Sequence, residues 1–374
     1  MSIRFPVFAG LMMAACAHPS PTVQPAPHVT HPWADSSAHD PEAEIYRTWL
    51  RYLGSLAGHF GTGAWQPSPY WLTSEQRRWH AYALAMAHMP DSATPEVLSI
   101  DAVSGGEYRV VTRFMEDSAT SPLQASIVRM TVFAVRDSGH WVFANALPRL
   151  TRSWRREAVR GLTYIMEPGY PFDRTRAEQA AAFVDSLATA FGVPRLTSFA
   201  YYLTTSSDEI YRIMGLETDI KWGPVGGVSQ PTNHQLFSGN PALGEDYRHE
   251  LAHMVLLPLM GNTLYFVSEG VPTWVGGTSG MTFKAAARQL AGFLSEHPGV
   301  TLDSILDGVF PPTQLYPAAA VFADMANDEG GVAAVTALYN SGDDFRKSME
   351  RLFKRPWAEI AVDWRTKALS FLGP

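Results

Sequence analysis

The chain has 374 residues, 46% hydrophobic and 17% charged, which is ample for packed cores and too long for one average domain. Its 36 acidic residues outnumber 29 basic ones for a net charge of −7, which argues against a nucleic-acid binder, whose surface carries a basic stripe. A single cysteine excludes an internal disulfide and any multi-cysteine zinc site.

The chain opens MSIRFPVFAGLMMAAC. Arg4 precedes an apolar run over residues 5–15. That run is too short for a spanning helix, which needs about 20 residues, and has the make-up of the apolar part of a secretion signal. Met13-Ala14-Ala15-Cys16 resembles a bacterial lipobox, with Met13 where leucine is usual. The resemblance implies a signal over residues 1–16, cut before Cys16, whose thiol and new amino terminus are acylated. An ordinary signal that happens to contain a cysteine is the other reading. Acyl chains bind membranes at about 0.8 kcal/mol per methylene, so such a lipid anchor would hold an exported protein in the bacterial cell envelope. Ala17, and not Asp, follows the cysteine; in Gram-negative bacteria the resemblance to the lipoprotein sorting rule then implies the outer membrane, on its periplasmic side. Residues 17–42 carry six prolines among Ser, Thr and Ala, a composition that favours an extended tether.

Residues 42–58 place Ile45, Trp49, Leu50 and Leu53 on one helical face, and residues 74–88 do the same with Trp79, Tyr82, Leu84 and Met86. Residues 108–114 and 127–135 alternate as strands. Asp137-Ser138-Gly139 predicts a hairpin turn into a strand over 141–147. Helices followed by antiparallel strands predict an α+β domain over residues 43–155. Their order is similar to the cone-shaped nuclear-transport-factor-2-like (SnoaL-like) fold, which implies either a pocket or a purely structural or docking module.

A second domain is expected over residues 156–374. Residues 162–166 read as a strand. Asp173 stands at the N-cap of a helix that runs to Phe191 and stops at Gly192, with Pro194 beyond. Residues 199–204 read as another strand, and Ser206-Ser207-Asp208-Glu209 starts a short helix with a capping box. After about residue 240 the patterns are mostly helical. The fold class expected for the whole chain is α+β: a cone-like amino-terminal domain, then a small mixed sheet with a helical carboxy-terminal half.

Residues 249–253 read His249-Glu250-Leu251-Ala252-His253. Side chains four apart on a helix share a face one turn apart, so two imidazoles there can reach one Zn²⁺ at about 2.0–2.1 Å. Glu250 beside the first histidine can take a proton from an attacking water. A catalytic zinc needs a third protein ligand. Downstream runs Phe266-Val267-Ser268-Glu269-Gly270-Val271-Pro272-Thr273-Trp274, in which Glu269 is a lone acid in an apolar segment. It is costly there unless paired or metal-bound; an exposed helix-start acid, favoured by the helix dipole, is the alternative.

The two segments together resemble the gluzincin peptidases, specifically the peptidase MA-like families related to thermolysin and to zinc aminopeptidases, over residues 156–374. The resemblance implies one Zn²⁺ per chain on His249, His253 and Glu269, with Glu250 as general base and later proton donor. Metzincins need a histidine six residues past the motif, where this chain has Leu259. The family also places a tyrosine at the opening of a later helix to hydrogen-bond the oxyanion of the tetrahedral intermediate. Tyr316 in Leu315-Tyr316-Pro317-Ala318-Ala319 fits, with Pro317 suited to a first helical turn; a plain core tyrosine is the alternative. Helices over 331–339, 343–353 and 357–371 would form the closing bundle.

Two features depart from the family. Thr273 stands where many relatives have an acid that supports a ligating histidine, so that support must come from elsewhere, Asp246 or a backbone carbonyl. Nothing like the aminopeptidases' amine-binding segment precedes His249. The stretch upstream is Trp222-Gly223-Pro224-Val225-Gly226-Gly227-Val228, with Gly226–Val228 an edge-strand candidate for an extended peptide. His234 is a cleft or surface histidine. The function expected is a membrane-tethered zinc metallopeptidase acting on a peptide or protein substrate with a zinc-activated water, with no nucleic-acid partner and the oligomeric state open. The alternative is a non-catalytic lipoprotein with a structural or vestigial zinc site, acting through its amino-terminal domain as a binding or scaffold module.

Overall fold

Helix α1 (Pro41–Leu56) buries Ile45, Trp49, Tyr52, Leu53 and Leu56, one stripe at helical spacing. Leu50, expected on that stripe, turns outward at 36% exposure. The computed structural model describes residues 40–56, 68–75, 93–115, 126–217, 226–261, 263–308, 310–342 and 344–373. The expected signal, Cys16, the tether up to residue 39 and residues 76–88 of the second expected helix lie outside the described residues.

The chain divides into two units, Met1–Arg152 with Tyr211–Gly223, and Ser153–Ile210 with Pro224–Pro374. In the first, strands β1 (Thr94–Ala102), β2 (Tyr108–Met115), β3 (Ser126–Asp137) and β4 (His140–Ala144) form an antiparallel meander in that order, and β8 (Leu216–Glu217) returns to pair with β3. Asp137 opposes His140 across a two-residue turn in which Ser138 and Gly139 both have positive φ, 51° and 86°. That backbone twist matches the twist of the strands. Strand β1 has no counterpart in the sequence reading. Pro95 argues against a strand, and a bulge between Val97 and Ser99 puts the buried Val97 and Ile100 three apart, which hides the period of two. The strand expected over 141–147 ends at Ala144, and Ala146–Leu150 is a short helix, α2, because Pro148 has no N–H for a ladder and suits a first helical turn. Trp49, Trp71, Phe114 and Phe143 fill the core, with the buried Trp49 indole donating to Thr112 Oγ1 at 2.7 Å.

The second unit carries a sheet ordered β5 (Arg155–Val159), β6 (Leu162–Met166), β7 (Phe199–Leu203), β10 (Gln235–Ser238), β9 (Gly227–Gln230). Strands β6, β7 and β10 are parallel, while β5 and β9 run antiparallel to their neighbours. Helix α3 (Arg174–Phe191) connects β6 to β7. The Asp173 carboxylate accepts from the Thr175 and Arg176 amides, and Gly192 ends the helix at φ 63°, where glycine carries no penalty. In helix α4 (Ser207–Ile213) the Glu209 amide donates to Ser206 Oγ at 3.1 Å.

From Arg248 the chain is helical: α5 (Arg248–Leu256), closed by a tight turn at Leu257–Leu259 that holds Pro258, then α6 (Tyr265–Gly276), α7 (Phe283–Glu296), α8 (Leu302–Leu306), α9 (Pro312–Leu338), α10 (Phe345–Phe353) and α11 (Trp357–Ser370). The helix expected over 331–339 is the end of α9 beyond a break at Gly330 and Gly331. Pro312, not Pro317, occupies the first turn of α9; Pro317 lies inside the helix. Among the described residues no helix is long and apolar enough to cross a membrane. The core joins Leu162, Tyr164 and Leu236 of the sheet to Val184 of α3, Leu251 and Val255 of α5, and Phe322 of α9. Helices α6 and α9 approach at backbone distance: a Cβ added at Gly270 would stand 2.6 Å from Ala319 Cβ and 2.7 Å from its carbonyl carbon.

Candidate metal centre

The chain enters α5 through a loop held from several sides. The Arg176 guanidinium donates to the carbonyls of Pro241 at 3.1 Å, Ala242 at 2.9 Å and Leu243. It also faces the buried Glu245 carboxylate at 3.7 Å, which accepts from the Asp173 amide at 2.9 Å. The hydroxyls of Tyr201 and Tyr164 donate to the carbonyls of Gly244 and Glu245 at 2.6 and 3.2 Å. Arg176, Tyr164 and Tyr201 come from α3, β6 and β7, so the sheet and its crossover helix together set where α5 begins.

His249 and His253 lie one turn apart on α5 with their rings 4.9 Å apart. Glu269 stands in the second turn of α6, 7% exposed, and not at an exposed helix start. Helix α6 brings it to the histidines: Glu269 Oε2 is 3.2 Å from His249 Nε2 and 3.5 Å from His253 Nε2, and the two Nε2 atoms are 3.2 Å apart. Among the described residues these three form a group able to hold a metal ion.

The spacings test the fit. Three donors each about 2.0–2.1 Å from a tetrahedral ion stand about 3.3 Å from one another, and the observed triangle has edges of 3.2, 3.2 and 3.5 Å. Tautomer chemistry points the same way. His249 Nδ1 lies 3.0 Å from the Gly277 carbonyl, which can only accept, so Nδ1 carries the hydrogen. In the neutral imidazole the Nε2 lone pair then faces a carboxylate oxygen and a second imidazole nitrogen, an arrangement that calls for a cation between them. Two imidazoles and a carboxylate suit Zn²⁺.

No protein-family model matches the chain, and no curated protein matches it. Among solved structures it is similar to an M1 zinc metallopeptidase from Deinococcus radiodurans, at 14% identity over 76% of this chain and 62% of that one, with a TM-score of 0.32. A mutant of that enzyme bound to a Tyr-Ser-Ala substrate gives 13% identity over 75% and 61%, with a TM-score of 0.33. A two-domain M1 zinc metallopeptidase mutant bound to L-arginine gives 12% over 76% and 62%, with a TM-score of 0.30. The chain spans about three fifths of the length of these neighbours. Likeness at that level carries no weight for function, which rests on the side chains.

Electrostatics within the cluster is mutual. Burial by itself would raise the Glu269 carboxyl, but His253 and His249 outweigh it and hold it well below the usual carboxylate range. Burial disfavours the charged form of His253, yet the Glu269 charge reverses this and leaves it raised. Glu250 is 8% exposed, beside the first histidine on the same helix.

Tyr316 sits near the start of α9 with its ring stacked on His249, and its hydroxyl is 2.9 Å from that of Tyr265. Burial, then the Glu269 charge, push the Tyr316 phenol far up, so it remains an O–H donor. The support for His249 is the Gly277 carbonyl at the end of α6, with Thr273 Oγ1 3.5 Å away, while Asp246 pairs with Arg248. His234 is exposed, in a left-handed turn between β9 and β10. Gly277, Tyr265 and Arg176 are not among the residues that the sequence motifs point to. Only Tyr265 carried a signal: it lies one helical turn before Glu269.

Proposed function

We propose that this protein is a zinc-dependent peptidase. The observation that carries the reading is the triangle of His249 Nε2, His253 Nε2 and Glu269 Oε2, which has the edges of one face of a tetrahedron. Zn²⁺ bound there supplies a Lewis acid that polarises a carbonyl and makes water acidic near neutral pH. Glu250 takes the proton of the attacking water and returns it to the leaving amine. Tyr316 donates its O–H to the oxyanion that the carbonyl becomes. The Gly277 carbonyl keeps the proton of His249 on Nδ1 and its Nε2 lone pair toward the site.

The substrate class is a peptide in extended form. Among the described residues strand β9 ends its sheet, and it packs against the residue that leads into α5, since a Cβ at Gly227 would meet the Tyr247 ring at 2.6 Å. A strand at the end of a sheet in such a place can offer backbone hydrogen bonds to an extended chain.

The reading extends to the cell envelope, where acylation of Cys16 would anchor the protein through the proline-rich segment that precedes α1, with the unit that holds β1–β4 as a nuclear-transport-factor-2-like module. The lipobox sequence and the proline-rich composition support it.

Metal analysis of the purified protein should find about one zinc per chain. Glu250→Gln should retain it and lose hydrolysis of a mixed peptide library. Labelled palmitate should enter the wild type and not Cys16→Ser. A protein that binds no zinc, or whose hydrolysis survives Glu250→Gln, would overturn the peptidase reading.

A further inference from the structure

Tyr316 stacks on His249 and meets Tyr265 at its hydroxyl, and of these two phenols only Tyr316 has a task in the mechanism. Tyr265 is the first residue of α6, four before Glu269, so its side chain lies on the face that carries the carboxylate ligand. Its hydroxyl is 2.9 Å from that of Tyr316, which reaches the same place from α9. The two rings meet edge to face at 6.4 Å. Tyr316 is held on its other side by stacking on His249, 5.7 Å between centroids and 8° between planes.

We propose that Tyr265 is a positioning residue for Tyr316, aligning and polarising its hydroxyl toward the oxyanion formed during peptide hydrolysis. The proposal rests on the reading of Tyr316 as the oxyanion donor. A tyrosine has one O–H to give. When that hydrogen turns to the oxyanion, the Tyr316 oxygen keeps lone pairs inside a half-buried site, and the Tyr265 hydroxyl, 2.9 Å away, is within reach to donate to it. The chain Tyr265 O–H to Tyr316 O–H to oxyanion then runs in one direction, and each bond strengthens the next in a region of low dielectric. No proton changes oxygen along this chain; both phenols stay protonated throughout. The ring stack and the hydroxyl contact remove the rotational freedom that Tyr316 would have on either partner alone, and preorganisation of the donor is what makes an oxyanion contact effective.

The test uses the zinc-loaded protein with one internally quenched peptide selected from a mixed library by wild-type turnover. Tyr265→Phe should lower kcat about tenfold with KM unchanged. In a Tyr316→Phe background the same change should alter kcat less than about twofold. A second readout is calorimetric binding of a phosphoramidate dipeptide, which presents a tetrahedral oxyanion: Tyr265→Phe should weaken it about tenfold in the wild type and not in Tyr316→Phe. An equal effect of Tyr265→Phe in both backgrounds would mean that it acts on the fold, and would overturn the proposal. If Tyr316→Phe leaves kcat unchanged while Glu250→Gln abolishes it, the Tyr316 assignment fails and the proposal with it, with the metal reading intact. If no peptide is cleaved and the phosphoramidate does not bind, the peptidase reading itself fails.

Discussion

The phenol ring of Tyr316 lies parallel to the imidazole of His249, with 8° between their planes and 5.7 Å between centroids. This contact links the first turns of α9 to the face of α5 that carries His249 and His253, and leaves the phenol O–H beside them. Tyr316→Phe keeps the stacked ring and removes only the donor, so zinc content and melting temperature should hold. Turnover should fall about a hundredfold. Loss of zinc along with activity would mean that the hydroxyl serves the ligand cluster instead.

Gly270 touches Ala319 at backbone distance, next to Glu269 in sequence. Gly270→Ala forces α6 and α9 apart and should cost about 1–3 kcal/mol of stability. Because the displaced turn carries Glu269, zinc affinity should fall with it. Chelator titration of wild type and variant measures this, and unchanged zinc affinity would show that α6 shifts without carrying the carboxylate away.

Arg176 holds the loop before α5 through three carbonyls and faces the buried Glu245. Arg176→Ala leaves that carboxylate without its cation. Since Arg176 itself is 31% exposed, the loss is set below that of a fully buried pair, at about 2 kcal/mol. Denaturant melts should show the loss, together with weaker zinc binding. A drop in stability with zinc affinity intact would separate the loop from the site.

With metal stripped by a chelator, Glu269 and His253 become an ion pair whose pH window can be worked out. The Glu269 carboxyl is depressed from 4.5, so its contribution is present above that value and lost as pH falls through the lower folded value. His253 is raised from 6.5, so its contribution is full below that value and lost as pH rises through the higher folded value. The stripped wild type should therefore exceed stripped Glu269→Gln most between about pH 4.5 and 6.5. Melting temperatures of the two across pH decide it, and a constant difference would contradict the pairing.

Much of the local structure was legible because its causes are local. Asp173 and Gly192 bound their helix by side-chain capping and a left-handed residue, and Ser138-Gly139 turn the hairpin by their φ angles. Strand β1 escaped because its bulge broke the alternation, and the strand expected over 141–147 was too long because Pro148 stops the ladder. Leu216 and Glu217 belong to the first unit although they come directly after a strand and a helix that begin in the second, a choice made by pairing with β3 that nothing in their own order encodes.

The spacing of His249 and His253 sets two imidazoles on one face of any helix that contains them, because helical pitch is a property of the backbone alone. What the spacing leaves open is which groups from other elements complete the site. Glu269, the Gly277 carbonyl and the Tyr265–Tyr316 hydroxyl pair reach the histidines only through the packing of α6 against α5 and α9, where glycines let backbones touch. Such contacts depend on the shape of a whole core, and a core is built by residues far apart along the chain.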